Sequence, residues 1–216
     1  MSKGSELHGT HEIITQIKAL KSIRVNEISS LLIRLCIILL LVPMIVGCGK
    51  HPYVEMEERE LASGVRYDSL FLGLSLGMER KVFFDRSWVL NKEKIIKQGP
   101  GNNTVEYHLT AEFKEKVIAQ FYPTFSNDVV YEVPMTMSYQ AWAPWNKHLF
   151  ADSLQLEALT YFEKQYGEGF VEIKHPSGKR AFAKVDGNRR ISISKIDDRQ
   201  IKVLFTDLTA EKPIGQ

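Results

Sequence analysis

Val129-Val-Tyr-Glu-Val-Pro-Met-Thr-Met-Ser-Tyr-Gln140 decides how this chain is read. Val129, Tyr131, Val133, Met135, Met137 and Tyr139 fall on one face, while Glu132, Pro134, Thr136, Ser138 and Gln140 occupy most of the other. A strict period of two is the mark of a half-buried antiparallel strand, because successive side chains point to opposite faces of a sheet. Proline has no N–H for a ladder, so Pro134 is expected at an edge or a bulge.

Upstream, Thr104 to Thr110 and Lys116 to Tyr122 alternate in the same way, and Gln98-Gly99-Pro100-Gly101-Asn102-Asn103 breaks the chain before them. Before that breaker, a helical pattern runs to about Asn91. Val82, Phe83, Val89 and Leu90 recur at seven-residue spacing and are expected to line one side, with Phe84 and Trp88 flanking them. Downstream the order repeats. Asp152 or Ser153 can cap a helix to Tyr166, with Ala158, Leu159, Phe162 and Tyr166 inward and Gly167 beyond its end. Strands are expected at Phe170 to Lys174, Arg180 to Val185, Arg190 to Ile196 and Ile201 to Thr206, with Asp186-Gly187 as a tight-hairpin signal. The fold class is α+β: two tandem helix-then-antiparallel-strands units, with helices packed on one face of the sheet.

The other informative stretch precedes this body. Leu35 to Val46 (LCIILLLVPMIV) is an unbroken apolar run, with Arg34 before it and Gly47-Cys48-Gly49 after it. A permanent span needs about 20 apolar residues, so a run of this length suits the hydrophobic region of a cleavable secretory signal. Ile45-Val46-Gly47-Cys48 resembles the lipobox of bacterial lipoproteins, in which small residues precede an acceptor cysteine. The resemblance implies that the Cys48 thiol takes a diacylglycerol and that the chain is cut before it. Acyl chains contribute about 0.8 kcal/mol per buried methylene, so two or three of them hold a protein that one alone would hold only marginally. The bland alternative is a buried core cysteine.

The resulting organisation is a leader and lipoprotein signal peptide over 1–47, a polar tether over 48–68, and a first α+β unit over 69–141. An inter-unit linker at 142–151, a second α+β unit at 152–208 and a tail at 209–216 complete it. Within the tether Glu55 to Glu60 could form a short helix, and its acidic cluster reads as a solvated face. Residues 1–34 are longer than a signal normally carries before its apolar region. Either Met1 lies upstream of the true start, or the leader is genuinely long, or it forms a retained surface helix.

Cleavage before Cys48 removes five basic and three acidic side chains, leaving 23 of each. The mature chain is then formally neutral, and the basic balance that would argue for nucleic acid disappears. Cys36 leaves with the signal, so no disulfide or cysteine-based metal site is expected. There is no HExxH, GxSxG or glycine-rich phosphate loop, and His51, His108, His148 and His175 lack metal-ligand spacing. No catalytic residue, cofactor or metal is therefore assigned, and Asp197-Asp198 reads as a turn.

The leader and first unit together look like small envelope lipoproteins of the BamE/SmpA kind: a lipobox, a polar tether, a Gly77-Met78 lead-in, a helix, then antiparallel strands. The local likeness covers about Leu70 to Leu90. The doubled layout is similar to the tandem arrangement of β-lactamase-inhibitor proteins. Both imply a non-catalytic accessory or binding protein, and Gly49 in place of aspartate resembles lipoproteins sent to the outer membrane of a Gram-negative bacterium.

One surface feature stands apart: Ala141-Trp142-Ala143-Pro144-Trp145-Asn146-Lys147, between the two units. Trp142 and Trp145 could stack on a sugar ring or anchor a protein partner, or simply cement the units. The leading expectation is a lipid-anchored interaction, scaffold or inhibitor module with an envelope protein as partner. The alternative is a glycan or peptidoglycan binder using Trp142 and Trp145, with an enzyme third. The anchor is directly testable: in cells fed a clickable palmitate analogue, label is expected on the wild-type chain and absent from Cys48→Ala. Equal labelling of both would place the lipid elsewhere.

Overall fold

The strand that opens the sequence reading is the centre of the molecule in the computed structural model, which describes residues 50–101, 103–174 and 178–210. Val129–Tyr139 forms β5, and its odd face is buried from Tyr131 to Tyr139. Before it lie β1 (Ile96–Gln98), β2 (Val105–Leu109), β3 (Val117–Phe121) and β4 (Thr124–Ser126). After it come β6 (Val171–Lys174), β7 (Arg180–Asp186), β8 (Arg189–Lys195) and β9 (Gln200–Asp207). All pair antiparallel in one sheet of order β1-β2-β3-β5-β9-β8-β7-β6, with β4 also on β5.

Pro134 is not at an edge, because β5 has partners on both sides. Towards β9 the register is unbroken from Glu132↔Thr206 to Ser138↔Gln200. On the other side β3 pairs with Met135 to Tyr139 and β4 with Val129 to Glu132, the latter through a register shift between Thr124 and Phe125. Val133 and Pro134 fall between these two ladders. The imino nitrogen therefore interrupts no pairing on that side, and the register shift lies opposite Tyr131 rather than at the proline.

Among the described residues three α-helices accompany the sheet: α1 (Pro52–Ala62), α2 (Arg80–Lys92) and α3 (Ala151–Tyr166). Phe83 of α2 joins Leu154, Ala158 and Phe162 of α3 in the main core cluster. There they meet Val117, Ala119, Phe121, Val133, Met135, Met137, Ile191, Ile193, Val203 and Phe205 from the strands. Helix α1 covers the reverse face. Its Tyr53 hydroxyl meets Arg190, whose register partner Val185 points away from the core-facing Ile191. Met56 is its buried residue. Part of the span expected as a polar tether is thus a helix seated on β6 and β7, and the acidic cluster is not wholly solvated. Glu57 accepts from Tyr53, and Glu60 accepts from the Gly187 amide at 3.3 Å.

Two local expectations need correction. In α2 only Phe83 and Leu90 of the proposed stripe are buried, while Val82 and Val89 are exposed with Phe84 and Trp88. Seven-residue spacing places both pairs on adjacent lines, and the sheet covers only one of them. In α3 the cap position is Phe150, whose side chain has no acceptor, and Asp152 lies inside the first turn, paired with Lys195 at 2.7 Å. Gly167 does end the helix, with a φ of 83°.

The β7–β8 hairpin turns through Gly187 and Asn188, since Asp186 pairs with Arg189. Gly187 has a φ of 51°, and a Cβ there would stand 2.1 Å from the Val65 carbonyl oxygen. Gly64 also has positive φ, yet a Cβ there meets nothing within 4 Å. Gly64→Ala should therefore lose about 1 kcal/mol, the left-handed conformation alone. Gly187→Ala adds a backbone clash and should lose about 3 kcal/mol or more, read from urea unfolding midpoints.

Candidate functional site

Between α1 and α2 the chain runs as a strap across one end of the sheet, and the β7–β8 hairpin holds it. Asn188 accepts from the Tyr67 amide at 2.7 Å and donates to Asp68 at 2.9 Å. Arg189 donates from Nη1 to the Ser69 carbonyl at 2.6 Å. Arg66 reaches Asp68 and Asp207, each at 2.8 Å. Leu70, Leu74 and Leu76 then turn into the core, and Phe71 sits edge-on to Phe121 with ring centroids 4.9 Å apart. The strap rejoins the sheet where the Gly77 amide donates to Val130 at 2.7 Å and the Val130 amide donates to Met78 at 2.8 Å.

Under this strap lies a cavity of about 550 Å³. Its walls come from Ser69 to Leu72, from Tyr107 and Leu109 of β2, from Met135 of β5, from Tyr161, Phe162, Gln165 and Tyr166 of α3, and from Arg189. Small-ligand sites are commonly of this size, and this wall mixes apolar side chains with Ser69, Gln165, Arg189 and three tyrosines. Arg189 is the one charged residue in the wall and is only 6 % exposed. Its Nη2 pairs with Asp186 at 3.0 Å, and its guanidinium lies 4.7 Å from the Tyr166 ring centroid. Its Nε is buried and has no hydrogen-bond partner. Lys184, also buried, shares Asp186 at 3.1 Å and donates to the Tyr166 and Gly167 carbonyls at the end of α3.

Burial pushes the Tyr161 phenol up to about 12, helped by Tyr107 and Glu112. Burial likewise holds Tyr166 far above the ordinary tyrosine value, against the pull of the Arg189 cation and with a smaller push from Tyr161. Both hydroxyls therefore stay protonated near neutral pH. They can offer hydrogen bonds but do not act as bases there.

The two tryptophans are separated in role. Trp142 is half-buried: its indole donates to the Asp198 carbonyl at 3.2 Å, lies 6.2 Å from the Phe150 ring and carries Arg199 at 5.7 Å. Trp145 is 85 % exposed. Neither lines the cavity under the strap. Cys48 lies outside the described residues. His51 accepts the Tyr53 amide at the start of α1, and His108 bonds Glu106 at 2.5 Å, while His175 is outside the described residues. Among the described residues no group of three potential ligands could hold a metal ion, and no helix is long and apolar enough to cross a membrane. Asp197 accepts the Arg199 and Gln200 amides at 2.8 Å, the local bonding expected of a turn.

Sequence reasoning missed Arg189 and Tyr161. The strand was expected to begin at Arg190, one residue late, which left Arg189 in a turn. The available signal was the aromatic run Tyr161, Phe162 and Tyr166 on one helix. Comparison with family models, with curated proteins and with solved structures gave no match.

Asp207 supplies a pH test of the strap. Burial alone would raise its carboxyl, but hydrogen bonds from the Thr209 hydroxyl and amide, from Arg66 and from Asn188 hold it below the usual carboxylate range. Stability from the ionised group is complete above its unfolded-state value and is lost as pH falls through the depressed folded one. The gap in urea midpoint between wild type and Asp207→Asn should thus be widest near neutrality and close in acid. A gap unchanged from about pH 7 to about pH 2.5 would contradict this.

Proposed function

We propose that this chain is a lipid-anchored envelope lipoprotein, attached through Cys48, whose folded body serves as a non-catalytic interaction, scaffold or inhibitor module. The observation that carries the reading is Trp145. Its indole stands in solvent on the loop between β5 and α3, and the neighbouring Trp142 ties that loop to Asp198 and Phe150. A large aromatic held out on a fastened loop is suited to anchor a partner, because little side-chain freedom is lost on contact. The exposed Phe84 and Trp88 of α2 add further aromatic surface.

The lipobox-like Ile45 to Cys48 supports the membrane attachment. Helix α1 begins at Pro52, and four residues span at most about 14 Å, so a lipid on Cys48 holds the body close to the bilayer. The layout fits two helix-then-strands units in tandem, sharing one sheet at the β5–β9 seam, with α2 and α3 contributing to one core. The glycan or peptidoglycan alternative using Trp142 and Trp145 has less support, because the Trp142 ring is engaged by Phe150 and Arg199 and does not extend a shared platform with Trp145.

Crosslinking in intact envelopes tests the reading. Trp145→Ala should lose the adducts formed by the wild-type chain while its unfolding midpoint stays within about 0.5 kcal/mol of wild type, as for an exposed side chain. Undiminished adducts would remove Trp145 as the anchor. Loss of binding to peptidoglycan fragments instead would transfer the lead to the glycan reading.

A further inference from the structure

We propose that the cavity under the Ser69–Leu72 strap is a binding site for a small amphipathic monocarboxylate, with its apolar tail among the rings and its carboxylate on Arg189. This site is separate from the Trp145 surface and does not depend on it.

Three observations converge on this chemistry. The first is shape and lining: the cavity of about 550 Å³ sets the apolar side chains of Leu70, Phe71, Met135 and Phe162 beside Ser69, Gln165 and three tyrosines, a mixed wall that suits a body with both an apolar and a polar part. The second is charge. Arg189 alone in the wall is ionic, and its half-buried counter-ion Asp186 is shared with the buried Lys184, so these three groups carry one positive charge in excess. A desolvated cation without a full counter-charge favours an anion of matching geometry, and a guanidinium matches a carboxylate in two parallel bonds. The third is the unfilled donor. Arg189 Nε is shielded from water and has no acceptor, although both Nη atoms have one. Leaving a buried donor unpaired is unfavourable, and stacking on the Tyr166 ring compensates the charge without accepting that hydrogen.

A carboxylate that enters beside Tyr166 draws the guanidinium off its ring stack and takes the Nε hydrogen. The phenols of Tyr161 and Tyr166, neutral near pH 7 as tyrosines ordinarily are, add donors without repelling the anion. No charged carboxyl stands in the wall to oppose it. The tail then lies along the core face of the sheet towards Leu109 of β2.

The test uses the full chain in phosphatidylcholine vesicles and a ten-carbon carboxylic acid carrying a mid-chain diazirine, with adducts mapped by mass spectrometry. Adducts are expected on Ser69 to Leu72, Tyr107 and Tyr161 to Tyr166, displaced by octanoate at least tenfold more effectively than by octanol. Arg189→Gln should reduce labelling at these positions about tenfold and erase the preference for octanoate. If Arg189→Gln fails to fold, the comparison of octanoate with octanol on the wild-type chain decides alone. Equal displacement by the two competitors would overturn the assignment of a carboxylate. Adducts confined to Phe84, Trp88 or Trp145, or no saturable adduct, would overturn the cavity as a binding site.

Discussion

Everything in this fold depends on β5 being paired along both edges at once. An eleven-residue strand meets β3 and β4 on one side and β9 on the other, and this joins β1 to β4 with β6 to β9. Because the side-chain period is two, a slip of one residue on either edge would turn Val133, Met135, Met137 and Tyr139 to the wrong face. Each is essentially buried, so the register is fixed by the loss of several apolar side chains from the core, each contributing about 1.5–3 kcal/mol. Pro134 lies in the interior of the sheet, in register with Leu204 of β9 and opposite the gap between the β3 and β4 ladders.

The β7–β8 hairpin carries the second constraint. Within four residues it supplies the Asp186 carboxylate, the close approach of Gly187 to Val65, the Asn188 clasp on the strap and the Arg189 guanidinium. Buried ion pairs of this kind are weak evidence for stability, since desolvation offsets much of the attraction. Their effect here is positional. Arg189 fastens the strap through Ser69 and forms the polar end of the cavity beneath it, so the same side chain shapes the cavity and supplies its charge. Lys184 closes the far end of α3 over the same carboxylate. The tryptophan loop follows a different logic, with one ring spent on holding the loop and the other left in solvent.

The long elements were legible because their periods are long enough to exclude alternatives. β2, β3, β5, β7, β8 and β9 begin and end within a residue or two of the positions expected from alternation, and α3 runs to Tyr166 as its apolar spacing implied. The elements that were missed are short. β1 and β4 have three residues each, too few to show a period, and they exist only because β2 and β5 present edges to them. Helix α1 buries Met56 alone, so its composition reads as a polar tether, and its seating on the reverse face comes from Tyr53 and Glu60 reaching the β7–β8 region. The Val82 and Val89 line misled for the opposite reason: the spacing was real, but the sheet covers only the neighbouring line of Phe83 and Leu90.

By itself the sequence determined the antiparallel α+β character, the core face of the central strand and the helix ahead of each set of strands, because these follow from local periodicity and turn chemistry. It also determined that Trp142 and Trp145 share one loop. Only the tertiary structure decided that one continuous sheet joins the two sets, that the two rings have different fates, and that Arg189 lies under a strap more than a hundred residues away in the chain. Those outcomes depend on which surfaces long-range pairing brings together and which it seals from water. No window of neighbouring residues contains that information.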